Sequence, residues 1–111
     1  MATFARKKLA FVQLSATPGT TVYDPASSTI GLIHNMVIYN SGSVDSQLVI
    51  ISMHDGTHEY ILFKFTVTAL DTVLIDFKGE GLVVDAASKI TGSTTTGSVV
   101  TCLLTGSEEV A

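Results

Sequence analysis

Residues 36–65, MVIYNSGSVDSQLVIISMHDGTHEYILFKF, hold three apolar runs separated by two breaks, Asn40-Ser41-Gly42-Ser43 and Asp55-Gly56. Between the breaks apolar residues alternate or run together over short lengths, the pattern of strands rather than helices. Asp-Gly between such runs is a strong hairpin signal, because a two-residue type I′ turn needs φ > 0 at both central positions. The stretch predicts three successive antiparallel strands, and the rest of the chain must be organised around them.

Period two sorts the side chains onto faces. Met36 and Ile38 share one face and Val37 and Tyr39 the other; Val49, Ile51 and Met53 oppose Leu48, Ile50 and Ser52; Tyr60, Leu62 and Lys64 alternate with Ile61, Phe63 and Phe65. Both faces are partly apolar, whereas a sheet with one wet face alternates cleanly. Val37, Tyr39, Leu48 and Ile50 are therefore expected to meet another subunit.

Before this stretch, residues 9–16 predict a strand with Phe11 and Gln13 on one face and Val12 and Leu14 on the other. Thr17-Pro18-Gly19-Thr20 turns the chain, residues 21–23 are extended, and Asp24-Pro25 ends them. Residues 29–40 form a long strand in which Gly31 marks a bulge or a close backbone contact. After the stretch come strands at residues 73–77, 82–85 and 99–105, with residues 91–98, TGSTTTGS, expected as a flexible polar loop. About eight strands, no convincing helix and no repeat predict an all-β, antiparallel, jelly-roll-like β-sandwich. Residues 1–8 are expected as an extended basic arm, 9–106 as the sandwich and 107–111 as an acidic tail.

The chain has 111 residues, 46% hydrophobic and only 14% charged. One core fits that length. The low charge, where a soluble surface usually carries about a quarter to a third, implies unusual burial or a partner. With no apolar run of about 18 residues and no leader pattern, neither a membrane span nor a cleaved secretion signal is expected. Arg6, Lys7 and Lys8 supply half of the basic residues; beyond them Lys64, Lys78 and Lys89 stand against all ten acidic ones. Three charges beside an acidic body offer little phosphate affinity, so no nucleic-acid partner is expected. Arg6, Lys7 and Lys8, with Phe4 as an apolar anchor, are expected to dock on an acidic neighbour, such as another copy.

His54 and His58 flank Asp55-Gly56, but across a two-residue turn His54 faces Thr57 and Met53 faces His58, so the imidazoles point to opposite faces. His34 reads as a packed or interface histidine. Asp71, Asp76, Glu80 and Asp85 lack the alternating oxygen ligands of a calcium loop. The hydroxyls of residues 91–96 have no nucleophile context, and Cys102, in an apolar run, reads as a buried thiol consistent with reducing cytosol. Tyr23, Tyr39 and Tyr60 suit a sugar-binding face or cross-strand packing equally. No catalytic residue, metal or cofactor is expected.

The order of segments is familiar. A basic start is followed by the entry Thr20-Thr21-Val22-Tyr23-Asp24-Pro25 and the Asn-ended strand Met36-Val37-Ile38-Tyr39-Asn40-Ser41-Gly42. Then come the run from Leu48 to Gly56, the return Tyr60-Ile61-Leu62, the strand Val73-Leu74-Ile75 and a last apolar strand. Over residues 20–106 this resembles the small β-sandwich virion proteins of tailed bacteriophages, which decorate heads as cement or sit at the neck and tail. The resemblance implies a homo-oligomer in the virion, bound to the major capsid protein or other virion proteins. It carries over no site residue.

Overall fold

The computed structural model describes residues 6–79 and 81–110. Their strands are β1 (Arg6–Gln13), β2 (Thr20–Tyr23), β3 (Thr29–Asn40), β4 (Gln47–His54), β5 (Glu59–Val67), β6 (Thr72–Asp76), β7 (Leu82–Val84), β8 (Lys89–Thr94) and β9 (Val100–Val110). They form two antiparallel sheets. The first runs β1-β9-β3-β6, with β7 also on β3; the second runs β2-β8-β4-β5. Pairing is nested: β4 with β5, β3 with β6, β2 with β8 and β1 with β9.

Alternation explains how the sheets make one core. Ile33, Met36, Ile38, Val100, Cys102 and Leu104 from the first sheet share a buried cluster with Val22, Val49, Ile51 and Ile90 from the second. Burying a side chain of this size contributes about 1.5–3 kcal/mol, enough to fix which face of each strand turns in. The expected facing of β3 is met: Met36 and Ile38 are fully buried, Val37 is half-buried and Tyr39 exposed. Val12 and Leu14 likewise turn inward while Phe11 and Gln13 are exposed.

Residues 91–94 belong to a strand and not a loop. β8 is an interior strand of the second sheet, and every residue from Ile90 to Thr94 is buried. Its polar residues belong there because they find partners: Thr94 donates its hydroxyl to Gln47 Oε1 at 3.1 Å, and Thr91 donates to Glu59. A Cβ on Gly92 would stand 3.1–3.2 Å from the methyl ends of Val22, Ile51 and Leu14, so the glycine lets these three close tightly over the strand.

The ends differ from expectation too. β1 begins at Arg6 and pairs Arg6, Lys7 and Lys8 with Ser107, Gly106 and Thr105; β9 continues to Val110. The described part of the expected arm is thus laddered to residues 105–107 of β9, and residues 107–110 of the expected tail are laddered to β3. Hydrogen bonding in a ladder satisfies backbone groups that a free arm would leave to water. Phe4 lies outside the described residues.

The Asp55-Gly56 turn is wider than two residues. His54 pairs with Glu59 and Met53 with Tyr60, and Asp55 N–H donates to the His58 carbonyl at 3.0 Å. Asp55 Oδ1 accepts from the amides of Thr57 and His58 at 2.9 and 2.7 Å, so its side chain closes the longer loop. The expected opposition of His54 with Thr57 and Met53 with His58 gives way to this register.

Candidate functional site

The outer face of the first sheet carries an apolar row set by strand register. Phe11 of β1 pairs with Leu103 of β9, Leu103 with Val37 of β3, and Val37 with Leu74 of β6. Phe11 is 62% exposed and Leu74 63%, with half-buried Leu103 and Val37 between them. The next row, Gln13, Thr101, Tyr39 and Thr72, adds the exposed Tyr39. Lys8 holds its ammonium 5.3 Å from the Phe11 ring centroid, a cation–π contact at the row's margin. An apolar stripe crossing four strands is unusual for a surface that faces only water.

The residues expected at an interface divide. Val37 and Tyr39 lie on this face; Leu48 and Ile50 lie in the second sheet, Leu48 exposed and Ile50 half-buried. Phe11, Leu103 and Leu74 were not among the expected contacts, because only the strand order aligns them with Val37. Lys7 does meet an acidic neighbour, but within its own chain, where it forms an ion pair with Glu108.

That ion pair is part of a link between the sheets. Tyr23 of β2 donates its hydroxyl to Glu108 Oε2 of β9 at 2.5 Å. The Tyr23 ring passes over Gly31, where a Cβ would stand 2.4 Å from the hydroxyl oxygen. Gly31 therefore serves as a close backbone approach, while the β3 bulge falls between Ile33 and Asn35. The Lys7 ammonium, and then the Tyr23 hydroxyl, hold the Glu108 carboxyl below its ordinary value. Burial, followed by the neighbouring carboxylate, pushes the Tyr23 hydroxyl above its own.

Two hollows stand out on the surface of the described residues. One of about 270 Å³ is lined by Pro18, Ile50, Ser52, Glu59, Ile61 and Ser93, and brings Ile50 beside the Glu59 carboxylate. The other, about 300 Å³, is lined by Lys7, His34, Asn35, Thr105 and Gly106 around the β3 bulge. Among the described residues no three His, Cys, Asp or Glu side chains gather as a metal site. His54 Nδ1 accepts from the Gly56 amide at 3.0 Å and is occupied by the turn. Burial pushes the Cys102 thiol up to about 12, which leaves it protonated and a poor nucleophile at neutral pH. The arrangement is equipped to bind through shape and apolar area. No family model matches the chain, and no curated protein matches it either.

Proposed function

We propose that this chain is a non-enzymatic structural subunit of a tailed-phage virion, a decoration (cement) protein that binds the major capsid protein and stabilises the head. The observation that carries the reading is the Phe11–Leu103–Val37–Leu74 row, an exposed apolar stripe on a chain with only 14% charged residues. Such a stripe suits a permanent contact, whose buried centre is depleted in charge. The nested pairing also supports a jelly roll. With the three-residue β7 set aside, the sheets β1-β9-β3-β6 and β2-β8-β4-β5 are what a long antiparallel hairpin gives when rolled up. Viral capsid and lectin domains use that architecture.

In this reading the outer face of the first sheet seats on the capsid lattice. Phe11→Asp and Leu74→Asp, both at exposed positions, should leave the fold intact and abolish co-sedimentation with heads. Unimpaired binding by the double variant would reject this face. Many copies per head would separate cement from a neck or tail component, the nearest alternative. The hollow at Glu59 favours a second reading, a carbohydrate-binding module, since its hydroxyls and carboxylate stand beside apolar walls. Glycan-array binding lost on Glu59→Ala would favour it.

A further inference from the structure

The outer edge of β5 is the most exposed apolar strand edge in the molecule's described part. Among the described residues β5 pairs with β4 alone, so at alternate positions over residues 59–66 its other side presents N–H and C=O groups that no strand takes up, the Val67 carbonyl accepting from Asn40. Tyr60 and Ile61 are 56% and 59% exposed, and Leu62 beside them is exposed as well. Three large apolar residues in a row on an open edge are a template for another strand.

The sequence of β5 also says which strand fits. It contains one acid, Glu59, and one base, Lys64. In a regular strand residues five apart face opposite sides, but β5 holds an extra residue. Ile51 pairs with Phe63 and Ser52 with Ile61, which leaves Leu62 without an opposite number. The bulge restores the phase: Glu59, Ile61, Lys64 and Thr66 are all exposed, while Phe63 and Phe65 pack toward the core. Both charges thus lie on one face; Glu59 leans inward across β4 to accept from Thr91 of β8, so an edge pairing has to turn its carboxylate outward.

We propose that a second copy of this chain adds its own β5 to this edge, antiparallel, about a two-fold axis between Ile61 and Leu62. That register sets Glu59 of each copy opposite Lys64 of the other, Tyr60 opposite Phe63, and Ile61 opposite Leu62. The contact is isologous: one patch serves both copies, and each of its two charges is answered by the other. A bulge and a lysine on an edge ordinarily keep other strands away. Here the bulge aligns the charges, and the lysine selects a partner carrying an acid at that distance from the axis. Backbone hydrogen bonds would join the two second sheets into one eight-stranded sheet, with side-chain pairing fixing the register.

Charge reversal tests this directly, read by light scattering on chromatographed protein. Wild type should run at twice the chain mass. Glu59→Lys alone and Lys64→Glu alone should each weaken self-association by about tenfold or more, because like charges then face each other twice. An equimolar mixture of the two variants should recover the dimer, since every facing pair is again of opposite sign. Lys64 is exposed, so Lys64→Glu remains informative even if Glu59→Lys, which removes the acceptor of Thr91, perturbs the fold. A wild-type mass that is not an even multiple of the chain would overturn the proposal. So would Lys64→Glu dimers as tight as wild type, or folded variants that stay apart when mixed. The proposal rests on the edge and not on the virion reading; Lys64→Glu monomers that still bound heads would leave that reading standing.

Discussion

Tyr23 and Glu108 lie 85 residues apart in the chain, and their side chains meet to tie the second sheet to the first. Glu108 keeps Lys7 as a partner when the hydroxyl is removed. Tyr23→Phe should therefore cost about 1–2 kcal/mol, the range for one hydrogen bond to a charged acceptor that stays partly satisfied. Gly31→Ala should cost more, because its Cβ would displace the ring as well as the bond. Urea unfolding of both variants, with matched slopes, would check the order.

Acid should weaken the fold through Glu108. Its folded pKa is depressed by Lys7 and then by Tyr23, so its contribution is present above the unfolded value of about 4.3 and is lost as pH falls through the folded value. Alkali should weaken it through Cys102, whose folded pKa is raised to about 12 by burial. That contribution is complete below the unfolded value of about 8.5 and is lost as pH climbs toward the folded value. Glu108→Gln should flatten the acid limb of a stability–pH curve, and Cys102→Ala the first part of the alkaline limb.

At Gly106 the β3 backbone leaves no room for a side chain on β9. A Cβ there would lie 1.9 Å from the Leu32 carbonyl oxygen, backbone against backbone, with no side chain able to give way. Gly106→Ala should cost about 3 kcal/mol or more, on the scale of severe core lesions. At Gly79, with φ +73° and nothing within 4 Å of the added Cβ, alanine should cost only the left-handed backbone penalty of about 1–2 kcal/mol. Thermal melts of the two variants would separate crowding from backbone strain.

Asn40 is fully buried and bonded at three points. It donates to the carbonyls of Asp45 and Val67 at 3.0 and 3.1 Å and accepts from the Gly42 amide at 2.9 Å. Asn40→Ala should cost about 2–4 kcal/mol, because it strands buried backbone groups as well as deleting bonds. Amide exchange should accelerate at Gly42.

Val37 and Ile38 are chain neighbours on opposite faces of β3. Ile38→Asp would bury an unpaired charge at a fully enclosed position and should prevent folding, a loss of about 3–5 kcal/mol or more. Val37→Asp, half-exposed on the apolar row, should cost about 1 kcal/mol and should act mainly on assembly. Circular dichroism with sedimentation would distinguish the two, and the reverse order would mean that β3 is inside out.

What was legible in the chain follows from how local each signal is. The facing of β3 and the inward turn of Val12 and Leu14 need only period two and burial. β8 was opaque because Thr91, Gly92, Ser93 and Thr94 are loop-forming in isolation; what makes them strand is Gln47, Glu59 and the three apolar side chains closing over Gly92, none of them near in sequence. The apolar row was half legible. Val37 could be placed outward from β3 alone, but Phe11, Leu103 and Leu74 join it only through the register of four strands. The hairpin departs from a two-residue turn through one structural detail, the reach of the Asp55 carboxylate to two amides, which supports a longer loop than Asp-Gly requires.

The nested pairing also sets an order of assembly. β4 and β5 close a short loop, whereas β1 can pair only when β9 exists, so closure entropy rises from the innermost pair to the outermost. Among the described strands β1 is made before all the others and its partner β9 after them, so Val12 and Leu14 wait uncovered for the longest interval. Truncation within β9 should therefore leave β1 without the strand it pairs with.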